Sequence, residues 1–263
     1  MRLRDRISSH LAAAIKRSPL ERAPFDHLVV EQVFPADLYA ELVAQLPEDG
    51  YYRELKHSDA MLPDGRCARL QFPLVPANVA RLPQSQREFW DDVAEGLRTR
   101  EVEAAYKSKF GPALHERTRK PVDRIPLRHF PTLFRDRGGY KISIHPDSPR
   151  KAITAQYYLP ADESQLHLGT LFHEHNSDGS FREACAMRFA PNTGYAFAVT
   201  PRSYHSVKSM TGTDKPRNSL MVIVFYDRGP LIEGFKAARV QVRALYDRMV
   251  GRSGAEAGEG RYE

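Results

Sequence analysis

The spacing of apolar residues predicts helices in the first part of the chain. Between residues 1 and 17, apolar side chains recur at three- and four-residue intervals, which places them on one helix face. A second stripe begins after Ser85, which together with Glu88 has the spacing of a capping box. Thr99 is then expected to cap a continuation that ends at Gly111-Pro112. We therefore expect a helical layer over about residues 1–120.

The segments between these helices contain shorter elements. Residues 28–33 are apolar and β-branched and predict a short strand. Pro35 suits the start of a further short helix. Residues 50–83 are rich in Pro, Asp, Gly and Arg, and they predict loops with short strands.

The pattern changes at about residue 124. Short runs of β-branched and aromatic residues alternate with turn residues, and no helical stripe separates them. The predicted strands lie near residues 124–130, 139–144, 151–159, 168–173, 184–189, 194–199, 203–209 and 217–226. Eight short strands without intervening helices predict an antiparallel jelly roll. A helix over about 231–249 and a disordered tail over 251–263 complete the prediction.

Length and composition set the class of protein. The 263 residues, 41% of them hydrophobic and 27% charged, favour one globular α+β domain over residues 1–250, with a jelly-roll core over about 124–228. No apolar run is long enough for a membrane span or a secretory signal core, and two cysteines cannot build a disulfide framework. We expect a cytoplasmic protein that does not bind membranes.

The net charge of +6 raises the question of a nucleic-acid partner. Basic residues are mixed with acidic ones along the whole chain, and no basic run or nucleic-acid-binding signature occurs. We therefore expect a small-molecule substrate and no nucleic acid. The oligomeric state does not follow from the sequence.

Two His-x-Asp pairs are candidate metal ligands, because side chains at i and i+2 of an extended chain point the same way. His145 and Asp147 lie at the end of a predicted strand, with Lys141 and Ser143 on the same face as His145. That face is expected to form the lumen of the jelly roll, and the apolar face with Tyr140 to pack under helices. The pair of His57 and Asp59 enters a loop. We therefore interpret residues 145–147 as the metal-binding pair and residues 57–59 as a chance match.

A third ligand should come from a later strand. Two imidazoles and one carboxylate on one face of an octahedral ion leave three positions open, which suits non-haem Fe(II). His205 is the best candidate. Twelve residues on, Arg217 and Ser219 share one face of an apolar strand. An arginine there is costly unless it faces an anion, which its guanidinium binds with two parallel hydrogen bonds.

Taken together, residues 124–228 resemble the Fe(II)/2-oxoglutarate oxygenases of the prolyl-4-hydroxylase-like type. The matching segments, in chain order, are Gly139-Tyr140 before His145-x-Asp147, then residues 153–160, 169–171 and 191–197, then residues 205–207 and Arg217-x-Ser219. The resemblance implies a double-stranded β-helix fold. It implies that oxidative decarboxylation of 2-oxoglutarate by O₂ is coupled to hydroxylation of a C–H bond.

The same resemblance assigns roles to individual residues. It implies that His145, Asp147 and His205 hold Fe(II), and that Arg217 and Ser219 bind the distal carboxylate of 2-oxoglutarate. A tyrosine on an inner strand often adds a hydrogen bond to the co-substrate in this family. Tyr158 falls at that place, and Gln156 lies beside it on the same face.

The substrate class is approached through a smaller resemblance. Residues 164–170 are similar to the branch that hydroxylates or halogenates free amino acids. Halogenating members have Gly or Ala in place of the carboxylate ligand, whereas this chain has Asp147. Hydroxylation of a free amino acid, or of a natural product derived from one, is therefore favoured.

Two alternatives stay open. The core motifs do not distinguish a free amino acid from a peptide side chain, so a prolyl-hydroxylase-like activity on peptides is one alternative. A non-enzymatic jelly-roll binding module is the other. Nucleic-acid demethylation is disfavoured, because members of that branch carry a second arginine six residues after the first, and this chain has Ile223 there.

Several other polar residues have two interpretations. His173-Glu174-His175 could bind a second metal, but a loop or a wall of the substrate pocket is the preferred interpretation. His129 lines the cavity or is a core histidine. Arg66 and Arg69 reach a substrate carboxylate or form ordinary surface ion pairs.

Overall fold

The fold is taken from a computed structural model that describes residues 1–227. The helices are α1 Leu3–Arg17, α2 Ala36–Ala44, α3 Pro76–Val79, α4 Gln84–Gly96 and α5 Arg100–Thr118. The strands are β1 His27–Glu31, β2 Arg53–Glu54, β3 Arg69–Pro73, β4 Leu127–Asp136, β5 Ile142–His145, β6 Lys151–Tyr158, β7 Thr170–His175, β8 Phe181–Ala186, β9 Thr193–Ala198, β10 His205–Val207 and β11 Arg217–Tyr226. The helix predicted over 231–249 and the tail predicted over 251–263 lie outside the described residues.

The strands form two antiparallel sheets. The larger sheet has the order β1-β9-β6-β11-β4-β3-β2, and the smaller one has the order β5-β10-β7-β8. Strands β4 to β11 correspond to the eight predicted strands, and they are divided between the two sheets as in a double-stranded β-helix. The predicted α+β fold class is therefore confirmed.

Two apolar cores result from the alternation of side chains along the strands. The outer core lies between the helices and the outer face of the larger sheet, where Trp90, Tyr106 and Leu220 are completely buried. The inner core lies between the two sheets and is rich in aromatic rings, including Phe172 and Phe197. The helices thus brace one sheet from outside, while the space between the sheets is left for the site.

Helix α5 extends beyond its predicted end. Thr99 caps it as expected, accepting a hydrogen bond from the Val102 amide at 3.3 Å. The helix then continues through Pro112 to Thr118. Phe110 and Leu114, on either side of the proline, are buried in the outer core. Burial of two large side chains is worth a few kcal/mol, which offsets the roughly 3 kcal/mol that an interior proline costs.

Three further expectations are corrected. Helix α4 begins after Pro83 without a side-chain cap, so Ser85 and Glu88 form no capping box. Tyr140 packs in the inner core rather than under helices, because β5 belongs to the smaller sheet. Ile144, on the same predicted apolar face as Tyr140, is exposed rather than packed under helices.

Gly169 is required by close backbone packing where the chain enters β7. A Cβ atom at this position would lie 1.4 Å from the Met187 carbonyl oxygen. The neighbouring backbone is held in place, because the Met187 amide donates to the Thr170 carbonyl at 2.8 Å. A side chain at residue 169 therefore has no room without separating two strands of the smaller sheet.

We predict that Gly169→Ala lowers the free energy of unfolding by at least about 3 kcal/mol, because the clash is with backbone atoms. Urea denaturation measures the change. Gly212→Ala is the matched control, since no atom lies within 4 Å of its added Cβ. Equal stability of the two variants would contradict the packing described here.

Candidate metal centre and anion pocket

Strand pairing brings the three predicted metal ligands together. His145 ends β5 and lies directly opposite His205, the first residue of β10. Their rings are 4.4 Å apart, centroid to centroid. Asp147 follows two residues after β5, and one ligand atom from each of the three side chains lies within 4.8 Å of the others. In the part of the chain that the structure describes, this is the one such group of His, Cys, Asp and Glu.

The hydrogen bonds of the two histidines determine which nitrogen is free. His145 Nδ1 lies 2.8 Å from the Ser143 carbonyl, and His205 Nδ1 lies 3.0 Å from the Ser203 carbonyl. A carbonyl oxygen only accepts, so each Nδ1 carries the proton. Nε2 of each ring is then the nitrogen left to face a metal ion, an arrangement typical of metal-binding histidines.

Burial also keeps the His205 ring neutral. The pKa of His205 is lowered to about 4, mainly because burial disfavours the imidazolium, although the Asp147 carboxylate opposes the shift. At neutral pH the ring therefore offers a lone pair rather than a second proton.

The third ligand is oriented by two neighbours on β6. Thr154 Oγ1 donates to one Asp147 oxygen at 2.5 Å, and Lys151 Nζ donates to the other at 2.5 Å. Burial would raise the pKa of the Asp147 carboxyl, but the Lys151 cation, His205 and these hydrogen bonds hold it well below its usual range. Asp147 is therefore an anion with a restrained orientation.

This donor set fits Fe(II). Two imidazole nitrogens and one carboxylate oxygen lie within 4.8 Å of one another, and a set of two histidines and one carboxylate leaves three positions of an octahedral ion for exchangeable ligands. No thiolate takes part, and the two cysteines lie elsewhere as free thiols.

Arg217 lies completely buried at the start of β11. Its Nε donates to the Leu168 carbonyl at 2.7 Å, and its Nη1 donates to Asp136 Oδ2 at 2.8 Å. The guanidinium carbon lies 5.4 Å from the centroid of the Tyr158 ring. Arg217 thus lies in a polar pocket at the end of the inner core.

The other residues predicted to bind the co-substrate line the same inner face. Gln156 Nε2 donates to Ser219 Oγ at 2.8 Å, and Gln156 Oε1 accepts from the Tyr195 hydroxyl at 2.7 Å. The Tyr158 hydroxyl donates to Thr170 Oγ1 at 3.2 Å and accepts from the Thr170 amide at 3.0 Å. All five side chains are buried. They form a polar network inside an otherwise apolar core.

Sequence reasoning missed Asp136, Thr154 and Thr170. Asp136 lies directly opposite Arg217, and Thr154 is two residues from Gln156 on the same face of β6. Alternation along β6 could have indicated Thr154. The pairing of Asp136 with Arg217 depends on strand register, for which the sequence carries no signal.

The second His-x-Asp pair lies close to the site without joining it. The His57 ring accepts a hydrogen bond from the Asp59 amide at 3.3 Å. The Asp59 carboxylate in turn accepts a hydrogen bond from the Ser143 amide at 3.3 Å. The Asp59 carboxylate is thus attached to β5, two residues before His145. The pair forms no metal-binding group in the structure.

The His173-Glu174-His175 segment forms no metal site either. His173 Nε2 hydrogen-bonds to Ser206 Oγ at 2.7 Å, whereas the exposed His175 ring packs on the Phe181 and Tyr204 rings. His173 is buried and His175 is exposed, and the strand register is irregular between Phe172 and His173, so the two rings do not converge on one ion.

The structure also decides between the two interpretations given for His129, Arg66 and Arg69. His129 is a core histidine on the outer face of β4, where its Nδ1 donates to the Leu97 carbonyl at 2.8 Å. Arg66 is exposed and pairs with Asp64. Arg69, in contrast, is buried and pairs with Asp136 from the side opposite Arg217.

Comparison with solved structures identifies the fold. A prolyl-4-hydroxylase from Pseudomonas putida superimposes with a TM-score of 0.52 at 15% identity, covering 82% of this chain and 99% of that one. A prolyl hydroxylase from Trichoplax adhaerens, solved with a hypoxia inducible factor peptide, superimposes with a TM-score of 0.50 at 14% identity, covering 85% and 90%. The chain therefore has the double-stranded β-helix fold of the prolyl-4-hydroxylase-type 2-oxoglutarate/Fe(II) oxygenases.

Comparisons of the sequence with family models and with curated proteins give no match. Among residues 1–227, no helix combines the length and apolar character needed to cross a bilayer.

We predict that the purified protein binds one divalent ion, with Mn(II) as a redox-stable probe, and that His205→Gln weakens this binding at least about 100-fold through loss of a direct ligand. Calorimetric titration measures the affinity. His175→Gln is the matched control and should bind Mn(II) like the wild type. Loss of binding in the control alone would move the site to residues 173–175.

We also predict that Thr154→Val, which keeps the side-chain shape but removes the hydroxyl bonded to Asp147, weakens Mn(II) binding about 10-fold or more. The melting temperature without metal should change little, because Lys151 still pairs with Asp147. Unchanged Mn(II) affinity would show that Thr154 does not orient the ligand.

Proposed function

We propose that the protein is a 2-oxoglutarate-dependent non-haem iron dioxygenase that hydroxylates an unactivated C–H bond of a small molecule, a free amino acid or a natural product derived from one. The observation that carries the proposal is the proximity of His145, Asp147 and His205, whose ligand atoms lie within 4.8 Å of one another. Such a triad leaves room on the metal for a chelating keto acid and for O₂. Bound Fe(II) would supply the activation of O₂, the chemistry that side chains cannot perform.

Arg217 and Ser219 would bind the distal carboxylate of 2-oxoglutarate. A buried guanidinium binds a carboxylate strongly because water does not compete for either partner. Ser219 Oγ and the Gln156 amide lie on the same face, and the Tyr158 ring covers the guanidinium. These groups would orient the co-substrate along the inner face of the larger sheet.

The inner core would exclude water from the reacting centre. Phe197 lies 5.0 Å from the His205 ring, and Phe172 lies directly opposite His205 in the neighbouring strand. Apolar rings beside the metal ligands lower the local polarity and strengthen the electrostatic interactions inside the site.

A carboxylate close to the candidate metal centre supports a substrate that carries an amino group. Asp59 is hydrogen-bonded to Ser143 in β5, two residues before His145. Leu62 of the same segment packs onto Gly139, just before that strand. The Asp59 carboxylate would attract the ammonium group of a free amino acid.

The test measures succinate formed from 2-oxoglutarate with Fe(II), O₂ and a panel of free amino acids, compared with a panel of short peptides. We expect substrate-dependent succinate with at least one free amino acid and a product heavier by one oxygen atom. Turnover with peptides alone would support the peptide hydroxylase instead. A protein that binds neither metal nor 2-oxoglutarate would be a binding module.

Asp147→Gly is the matched variant for the reaction type. Loss of the carboxylate ligand should abolish hydroxylation and open a coordination position to chloride. Product analysis by mass spectrometry, with and without added chloride, checks both parts. Hydroxylation at the wild-type rate in this variant would refute the assignment of Asp147 as a ligand.

A further inference from the structure

The pocket around Arg217 contains two buried arginines but only one buried carboxylate. Asp136 lies between two arginines, with Arg69 directly opposite it on β3 and Arg217 directly opposite it on β11. Residues in direct register on neighbouring strands place their side chains on the same face. Arg69, Asp136 and Arg217 therefore all face the inner side of the larger sheet.

The distances show that one carboxylate serves both guanidinium groups. Arg217 Nη1 lies 2.8 Å from Asp136 Oδ2, and Arg69 Nε lies 3.4 Å from Asp136 Oδ1. The exposed fraction of the side chain is 9% for Arg69, 1% for Arg217 and zero for Asp136. Among the ion pairs within residues 1–227, no second acid contacts either arginine, so the cluster keeps one positive charge in excess.

The surroundings compensate this charge only in part. The Arg69 guanidinium carbon lies 4.2 Å from the centroid of the Phe134 ring and 4.9 Å from that of Tyr140. Ring faces attract cations, but less strongly than an anion does at the same distance. Arg69 Nη1 also donates to the Tyr140 hydroxyl, but burial raises the pKa of that hydroxyl to about 12, so it supplies no negative charge at neutral pH.

The cluster also contains unused hydrogen-bonding atoms. Arg69 Nε and Asp136 Oδ1 are buried and face each other at 3.4 Å without forming a hydrogen bond, and neither has another partner. Arg217 Nη2 reaches only Thr170 Oγ1, at 3.4 Å, the longest of the three Arg217 bonds. Long or poorly aligned hydrogen bonds leave buried donors only partly satisfied, so an additional acceptor beside both guanidinium groups would be favourable.

From this geometry we propose that Arg69 is a second co-substrate-binding arginine, which binds the distal carboxylate of 2-oxoglutarate together with Arg217. The inference rests on the proposed function. Because Asp136 already neutralises one guanidinium, the attraction for the incoming carboxylate depends on the second one. Asp136 contacts both guanidinium groups and so keeps them close enough to bind one carboxylate together.

The test compares binding of two keto acids by calorimetry to the Mn(II)-loaded protein without O₂. 2-Oxopentanoate has the same keto acid end as 2-oxoglutarate, but a methyl group in place of the distal carboxylate. We expect Arg69→Met to weaken 2-oxoglutarate binding about 10- to 100-fold, the range for lost hydrogen bonds to a charged group. Binding of 2-oxopentanoate should change less than about twofold, because it has no carboxylate for Arg69 to bind.

Arg66→Met is the matched control, because Arg66 lies in the same segment but is exposed and pairs with Asp64. It should leave both affinities unchanged. If Arg69→Met binds 2-oxoglutarate like the wild type, or loses both keto acids equally, Arg69 has a structural role and the inference is wrong. If the wild-type protein does not bind 2-oxoglutarate at all, the proposed function fails instead.

Two further variants keep the inference falsifiable if Arg69→Met does not fold. Arg69→Lys keeps the charge and should retain part of the preference for 2-oxoglutarate over 2-oxopentanoate. Asp136→Asn keeps an acceptor for Arg217 while removing the competing negative charge, so it should tighten 2-oxoglutarate binding several-fold. Weaker binding of 2-oxoglutarate by Asp136→Asn, with 2-oxopentanoate unchanged, would contradict the charge argument.

Discussion

The antiparallel pairing of β5 with β10 is the interaction on which the candidate metal centre depends. It places His145 directly opposite His205, although 59 intervening residues separate them along the chain. Each ring is then held by a carbonyl two residues earlier in the chain, so strand pairing and local backbone geometry determine the position and the tautomer of the candidate ligands. Asp147 needs only to follow β5 by two residues to complete the set.

A second constraint acts at the other end of the inner core. Charged groups are buried there at high cost, and such groups are retained where they pair with each other or with a ligand. The cross-strand arrangement of Arg69, Asp136 and Arg217 keeps two guanidinium groups in place before any anion arrives. The candidate metal ligands and the buried arginines thus lie on different strands, the former on the smaller sheet and just after β5, the latter on the larger sheet.

The helical layer contributes to the site through the larger sheet. Helices α1, α4 and α5 bury the outer face of that sheet in a continuous apolar core, which includes Trp90 and Leu220. The opposite face is thereby free to carry polar side chains such as Gln156 and Ser219, which bond to each other inside the protein. Packing on one face supports polar function on the other because neighbouring residues of a strand alternate between faces.

The sequence by itself determined the eight strands after residue 124, the helical layer before it, and the candidate ligand set of His145, Asp147 and His205. These features depend on local periodicity and on the spacing of nearby residues, which can be read directly from the sequence. Only the tertiary structure decided that α5 passes through Pro112, that Tyr140 faces inward, and that Arg69 is buried beside Asp136. These outcomes depend on which strands pair and in what register, and that choice is made by long-range packing between residues far apart in the sequence.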